Sequence, residues 1–443
     1  MKIVLSVNAG SSSVKVSVYS VAARNAEPRQ LAEAQVNGLT APPPKVDYSR
    51  HDGSTNGGKN VVYKDKKVTD IDDKAGSIDS QDDAFAFLLR LFVDDKDLQE
   101  IGSRDDIAIV THRIVHGGDY TQPQIVVDDT YAHIEALNDL APLHNAKSLE
   151  IVRSCLKQLP QATNVACFDS QFHATLPPHI RTYPIDPAMA KSNMLRKYGF
   201  HGLSYAFITR AVADFLGKPV DETSIIALHL GSGASACAIR GGKSWDTSMG
   251  LTPLAGLPGA TRSGSVDPSL VFHYASDVGK LSPASTKDLH ISRAEEILNK
   301  EAGWKALTGT TDFGEIAGSD KPSHQLAFDL FVDRVSAYVG SYYVALKGEV
   351  DALVFAGGIG EHSNRLRAAV VDQCSCLGFA IDSAANGAGH LSDVVTDLTG
   401  TTGSETNNGS KTARRRVVVC KTDEQLEMAR EGSADESLWA DRK

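Results

Sequence analysis

The sequence predicts an α/β protein made of two similar halves. Three observations carry this reading. Residues 4–18 and 225–239 share one pattern: an apolar strand, a turn of small residues, and a second strand of alternating character. The turns are Ala9-Gly10-Ser11-Ser12-Ser13 in the first copy and Gly231-Ser232-Gly233-Ala234 in the second. Downstream of each hairpin, short apolar runs alternate with helical patterns. Finally, 443 residues exceed what one hydrophobic core organises, which suggests two domains. Turns of Gly and Ser let backbone N–H groups come close to an anion. Two such hairpins suggest a duplicated fold with a phosphate chain held between its halves.

The elements follow in order. The first hairpin runs to about residue 20, and residues 30–39 read as a further strand. Residues 41–60 are polar, with Pro and Gly clusters, and read as a surface excursion. Residues 80–92 are helical: Asp82 and Asp83 suit a first turn, and Phe85, Leu88, Leu89 and Phe92 are helically spaced. The buried strand 107–110 delivers the chain to Thr111-His112-Arg113-Ile114-Val115-His116-Gly117-Gly118. An amphipathic helix over 145–156 precedes the strand 164–168, which ends at Asp169. In the second half, the strand 352–355 ends at Gly357-Gly358-Ile359-Gly360-Glu361. Residues 387–416 are rich in Gly, Thr, Ser and Asn and read as an exposed insertion, with Arg414-Arg415-Arg416 a solvated run. The strand 417–420 and a closing helix beginning at residue 423 complete the pattern.

Composition excludes several classes. The chain is 42% hydrophobic and 23% charged, ordinary for a globular protein. A net charge of −10 argues against nucleic acid or anionic lipid as a partner, so an anionic ligand must be met by local basic residues. No apolar run approaches the roughly 20 residues needed to span a bilayer. The opening Met1-Lys2-Ile3-Val4-Leu5 enters a strand and lacks a leader-peptide pattern. Six cysteines, none in a zinc-like CxxC pair, read as free thiols in a reducing cytoplasm.

Open α/β sheets bind ligands at the carboxyl ends of their strands, and the candidates cluster there. Arg113 sits among histidines and glycines, and Arg262 lies in Gly259-Ala260-Thr261-Arg262-Ser263-Gly264. A guanidinium has the planar fork that grips phosphate or carboxylate in two places. His201, in Tyr198-Gly199-Phe200-His201-Gly202, reads as either structural or catalytic. Asp169 is either a helix cap or a catalytic or metal-binding acid. The glycine cluster 357–360 is either a plain turn or a nucleotide-approach loop.

Taken together, these segments closely resemble the acetokinase family. The resemblance rests on residues 7–15, 112–118, Leu140-Ala141-Pro142-Leu143-His144-Asn145, Phe168-Asp169-Ser170-Gln171-Phe172-His173, and residues 198–202 and 229–233. It continues through Gly250-Leu251-Thr252-Pro253-Leu254, Thr261-Arg262-Ser263-Gly264 and the 357–361 loop, covering nearly the whole chain in order. It implies the duplicated βββαβαβα fold of actin, sugar kinases and Hsp70-type ATPases (ribonuclease H-like), with an interdomain active-site cleft. Domain boundaries are expected at 1–170, completed by a returning helix at about 425–443, and at 171–424 for a nucleotide-binding and dimerisation domain. The implied reaction is ATP + acetate ⇌ ADP + acetyl phosphate, by direct in-line transfer with Mg²⁺, for which Mn²⁺ substitutes. A cytoplasmic homodimer is implied.

The resemblance also assigns roles. Arg113 and Arg262 hold the reacting anions, His201 donates to the transferring phosphoryl group, and Asp169 completes the catalytic set. Asn8 and Glu424 support the metal. Ser11, Ser12, Ser13 and Lys15 line the phosphate path in the first domain, and His229, Gly231, Ser232 and Gly233 in the second. Asp312, Phe313 and Gly314, with Gly357, Gly358, Ile359 and Gly360, border the nucleotide. Val115, Leu143, Phe200 and Pro253 form a small pocket for the acetate methyl.

Four positions depart from the family pattern: Ser232 where Asn is usual, Tyr205 where His is usual, Gly314 where Arg is usual, and Ala255 in place of an acid. Those at Ser232 and Gly314 bear on the choice of phosphoryl donor, so a pyrophosphate-dependent acetate kinase stands as an alternative. So does a propionate or butyrate kinase of the same family. A non-catalytic nucleotide-dependent binding module is the alternative of another class.

Overall fold

The computed structural model describes residues 1–10, 12–39, 42–51, 58–71, 78–137, 145–273, 285, 292–389, 393–401 and 415–440. The chain divides into two compact units: Met1–Gln171 with Asp423–Lys443, and Phe172–Thr422.

In the first unit, eight strands form one sheet: β1 (Lys2–Ala9), β2 (Ser13–Val21), β3 (Arg29–Asn37), β4 (Lys45–His51), β5 (Lys59–Lys67), β6 (Ile107–Ile114), β7 (Gln124–Ile125) and β8 (Thr163–Phe168). Their order is β5-β4-β3-β2-β1-β6-β8-β7. Strands β1 to β5 pair antiparallel in succession, whereas β1, β6 and β8 run parallel. The run Ile3-Val4-Leu5-Ser6-Val7 of β1, buried throughout and polar only at Ser6, suits a central strand covered on both faces. The Gln81–Val93 helix starts at Ser80, which shares a capping box with Asp83. It buries Phe85, Leu88, Leu89 and Phe92 in the core, against residues such as Leu5, Val16 and Val36 of the sheet.

The unit is completed by the Glu424–Gly432 helix, N-capped by the Asp423 side chain. Gln425 stitches it to the sheet: its amide donates to the Ser6 carbonyl at 3.0 Å and accepts from Ser17 Oγ at 3.0 Å. Gly432 lets it pack close, since a Cβ there would lie 2.3 Å from Thr111 Cγ2.

In the second unit, β9 (Ile225–Leu230), β10 (Ala234–Arg240), β11 (Lys243–Thr247), β12 (Ala352–Ala356), β13 (Val395–Asp397) and β14 (Arg416–Cys420) lie in the order β11-β10-β9-β12-β14-β13. Strands β9, β12 and β14 are parallel, and β10 and β11 continue antiparallel from β9. The series β11-β10-β9-β12-β14 therefore repeats β3-β2-β1-β6-β8 in order and direction. This is the duplication that the two hairpins announced. Phe328, Phe331, Val335 and Val339 of the long Pro322–Ala345 helix join Leu228, Leu353 and Val417 of the sheet in its core.

Three sequence expectations are corrected. The stretch read as a surface excursion at 41–60 contains β4 and the start of β5, which extend the first sheet. The stretch read as an insertion at 387–416 contains β13, paired antiparallel with β14, although 402–414 lie outside the described residues. Its basic run is not simply solvated. Arg415 lies over the Tyr343 ring and donates to the Leu377 and Gly348 carbonyls, while Arg416 pairs with Asp397 at 2.7 Å.

Candidate active site

In the first unit, the carboxyl ends of three adjacent parallel strands bring functional groups together. Asn8 is near the end of β1, Arg113 near the end of β6, and Asp169 directly follows β8. Arg113 donates through Nη2 to Asp169 at 2.7 Å and through Nε to the same carboxylate at 3.1 and 3.2 Å. Its Nη1 lies 3.1 Å from Glu424, the first residue of the closing helix. Asn8 Nδ2 donates to that same Glu424 oxygen at 3.3 Å. Burial works against the Arg113 charge, but Asp169 and Glu424 outweigh it and hold the guanidinium above its ordinary pKa.

The loop after β6 is held from behind. Asn145 accepts from the His116 N–H at 3.0 Å and donates to the His116 carbonyl at 2.9 Å. Ser170 accepts from the Gly117 N–H at 3.0 Å. A Cβ on Gly117 would strike the Phe168 ring at 2.5 Å, so only glycine lets this loop lie on β8. Val115 is half-buried in it, while Leu143 lies outside the described residues. His112 is part of the frame: its Nε2–H donates to Asn164 Oδ1 at 2.8 Å, and burial pushes its pKa down to about 4. In the first hairpin, the Gly10 N–H donates to the Ser13 carbonyl at 2.8 Å and Ser12 accepts from the Leu39 N–H at 3.1 Å. Lys15 is opposite Asn8 in the β1–β2 register, its ammonium 3.6 Å from Glu33. Ser11 lies outside the described residues.

In the second unit, the turn between β9 and β10 is the centre. The Gly231 N–H donates to the Gly233 carbonyl at 3.2 Å, and the Ser232 carbonyl accepts from the Ala260 N–H at 2.9 Å. That bond carries the 259–262 loop onto the turn and delivers Arg262. A Cβ on Gly233 would lie 3.1 Å from Arg262 Nη1 and 3.7 Å from His201 Nε2. The missing side chain thus leaves a recess on which a guanidinium and an imidazole nitrogen converge.

His201 caps the Gly202–Leu216 helix with φ +60°, a left-handed conformation uncommon outside glycine. Its frame explains how this is held. His173 Nε2–H donates to the Phe200 carbonyl at 3.0 Å, so His173 Nδ1 accepts from Ser244 Oγ at 2.7 Å. Burial pushes the His173 pKa down to about 4. The His201 ring stacks on His229 with centroids 4.2 Å apart. His229 Nδ1 meets Ser204 Oγ at 2.8 Å. Phe200 and Pro253 are both buried, each on a loop of this unit.

Beside the same turn opens a cavity of about 630 Å³, lined by Gly231, Ser232, Asp312, Phe313, Gly314, Gly358 and Ile359. Asp312 caps the Phe313–Ala317 helix, accepting from the Gly314 N–H at 2.7 Å. The Phe313 ring belongs to an aromatic core with Trp304, Phe328 and Phe331 and also lines the cavity. Gly357 has φ +73°, and a Cβ there would lie 2.8 Å from the Leu230 carbonyl, so the loop needs glycine to lie along β9. Gly360 is fixed through Arg367, which donates to its carbonyl at 2.9 Å.

The acetokinase family's sequence profile matches residues 3–430. The chain belongs to the acetokinase family. It is an enzyme of that family of kinases, and its fold is the actin, Hsp70 and sugar-kinase-like one. A protein named "probable acetate kinase" from Chaetomium globosum is 60% identical, the alignment covering 99% of each chain. One of the same name from Neurospora crassa is also 60% identical, over 99% of this chain and 95% of the relative. Among solved structures, an acetate kinase from Porphyromonas gingivalis is 30% identical with a TM-score of 0.75, covering 98% of this chain and 100% of that one. A propionate kinase from Francisella tularensis is 31% identical with a TM-score of 0.76, covering 97% and 99%.

Sequence reasoning missed the supporting residues. The clamp that Asn145 places on the His116 loop, the bond from His173 to Phe200 and the contact of Ser204 with His229 carry no local signature, because each spans 25 residues or more. A second cavity, of about 520 Å³ in the first unit and lined by Tyr48, Arg50, Tyr63 and Asp95, contains none of the candidate residues.

Proposed function

We propose that the chain catalyses reversible phosphoryl transfer between ATP and acetate, giving ADP and acetyl phosphate. The observation that carries the reading is the recess at Gly233, where Arg262 Nη1 and His201 Nε2 converge beside a cavity of nucleotide size. Acetate is ionised at neutral pH, so no general base is needed. A carboxylate oxygen attacks the terminal phosphorus in line, the bond to the ADP oxygen breaks, and no proton moves. The obstacle is repulsion between anions, so catalysis is alignment and charge neutralisation. Arg113 and Arg262 supply fixed cations, His201 donates to the transferring phosphoryl group, and Asp169 orients Arg113. The turn at Gly231, Ser232 and Gly233, with His229, faces the phosphates. Ser11, Ser12, Ser13 and Lys15 are proposed to do the same from the first unit. The 312–314 and 357–360 segments hold the adenosine. Val115, Leu143, Phe200 and Pro253 receive the methyl group.

Asn8 and Glu424 fit a divalent ion, proposed as Mg²⁺ with Mn²⁺ as a substitute. Both offer hard oxygens, and among the described residues no group of three or more His, Cys, Asp or Glu forms a metal cage. Magnesium keeps several waters and takes one or two carboxylates plus substrate phosphates, so two protein donors suffice. When bound, the ion neutralises phosphate charge.

A homodimer formed through the second unit is proposed on the exposure of Phe272 (71%) and Val344 (74%) there. A cytoplasmic location is proposed on six cysteines without a disulfide. No described helix is long and apolar enough to cross a membrane.

The test is an acyl-phosphate trapping assay crossing acetate, propionate and butyrate with ATP and pyrophosphate, with and without Mg²⁺. Acetyl phosphate from ATP is expected only with the metal. Propionate should react more slowly, because one methylene is worth only about 1–3 kcal/mol of discrimination. No acyl phosphate under any condition overturns the reading.

A further inference from the structure

A hydrogen-bond chain with a defined direction runs into His201 from the helix that follows it. Tyr205 is wholly buried, with its hydroxyl 2.5 Å from Ser235 Oγ. Ser235, also wholly buried, places Oγ 2.8 Å from His201 Nδ1. The proton order follows from counting. The backbone amide of His229 faces the phenol oxygen as a donor, and among the described residues Ser235 Oγ is the one acceptor the phenol reaches. Burial raises the Tyr205 pKa well above its ordinary value, so the phenol keeps its proton. Tyr205 therefore donates to Ser235, and Ser235 spends its single proton on His201 Nδ1. The reverse order fails: an Nδ1–H would donate to an oxygen already accepting from Tyr205, and the serine proton would be stranded in the core.

We infer that Tyr205, acting through Ser235, is a positioning residue that holds His201 in its Nε2–H tautomer. The ring then presents a donor, not a lone pair, beside Arg262 at the Gly233 recess. The inference rests on the phosphoryl-binding role proposed for His201. It also gives meaning to a departure from the family pattern, in which histidine is usual at this position. An imidazole can exchange donor and acceptor nitrogens, whereas the Tyr205 phenol carries a single proton on a single oxygen and gives it to Ser235. Stacking on His229 fixes the ring plane, and the Tyr205–Ser235 chain fixes which nitrogen carries hydrogen.

The experiment is solid-state ¹⁵N spectroscopy of the full chain carrying ring-¹⁵N histidine, with the His201→Asn spectrum subtracted to assign the ring. The wild type should show a protonated Nε2 and an unprotonated Nδ1 at neutral pH. Tyr205→Phe should give mixed tautomers or imidazolium, with kcat down about tenfold and KM for ATP and acetate within twofold. Ser235→Ala removes the relay itself without touching the helix and should do the same. An Nδ1–H signal in the wild type overturns the inference, as does an unchanged tautomer and kcat in either folded variant. Full activity in His201→Asn would instead remove the role proposed for His201, leaving the spectra to decide the tautomer alone.

Discussion

Asp169 grips Arg113 through Nε and Nη2, which leaves Nη1 to Glu424. One guanidinium is thus fixed in plane by two carboxylates, and Asp169 is only 1% exposed. Removing Arg113 therefore does two things at once. Arg113→Ala should cut the rate by at least about 10²-fold through loss of a preorganised cation. It should also destabilise the first unit by about 3 kcal/mol, because the buried Asp169 carboxylate loses the guanidinium that neutralises it. Arg113→Lys keeps the charge but cannot bridge both acids, so most of the rate loss should remain with less loss of stability. Thermal denaturation beside kcat separates the two effects. Equal stability of Arg113→Ala and wild type would show that the pair does not behave as a buried one.

Gly233→Ala probes the recess in the second unit more cleanly. The new methyl would sit 3.1 Å from Arg262 Nη1, in the space assigned to the transferring phosphoryl group. The neighbour is the end of a flexible side chain, so the fold should tolerate it, with a stability change under about 1 kcal/mol. The rate should fall roughly 10²-fold, since a displacement near 1 Å at a reacting centre is that costly. A methyl that left kcat and both KM values intact would place phosphoryl transfer elsewhere.

The two framing histidines predict a pH dependence of stability. Burial lowers the pKa of both His112 and His173 to about 4. In the unfolded chain each titrates near 6.5. Below that value the unfolded chain takes up protons that the folded chain refuses. The stabilisation is therefore complete above about pH 6.5 and is lost as pH falls toward 4. Between pH 7 and 5.5 each should contribute about 1 kcal/mol of lost stability. His173→Gln and His112→Gln should each be less stable than wild type at pH 7 but decline less on acidification. Identical declines in Tm for wild type and variants would mean that these rings are protonated in the fold.

Much of this was legible because strand ends advertise themselves. Arg113 lies three residues past one apolar run and Asp169 directly after another, and parallel pairing of β6 with β8 makes those ends neighbours. The second hairpin was legible for the same reason. The strands β4 and β5 were not, because Pro42-Pro43-Pro44 and a run of lysines mask them. Yet Val46 and Tyr48 are buried at alternate positions, and the lysines of β5 suit a sheet edge that must not pair further. The relay from Tyr205 to Ser235 was illegible in principle. Its members are 30 residues apart, and neither serine nor tyrosine carries a signal until β10 sets one beside the helix.

Gly314 supplies the remaining prediction, on the choice of phosphoryl donor. It lines the large cavity at the position where the family pattern places arginine; Arg365 also lines that cavity, but its guanidinium is held by the Ala317 carbonyl and the Gln325 side chain, so the cation usual at position 314 is missing. Adding one is sterically feasible: a Cβ at Gly314 would lie 3.1 Å from Asp312 Oδ1, tight enough to demand a shift of a few tenths of an ångström. The new guanidinium would be largely exposed, and exposed charge contacts are worth about 0.2–1 kcal/mol. Gly314→Arg should therefore lower KM for ATP by about two- to fivefold, with kcat and KM for acetate unchanged. Because the cavity lies beside the phosphate turn rather than within it, pyrophosphate kinetics should not respond. Were pyrophosphate the natural donor, the substitution would leave donor kinetics where they are. A gain confined to ATP would fix the cavity as the place where the nucleotide is read.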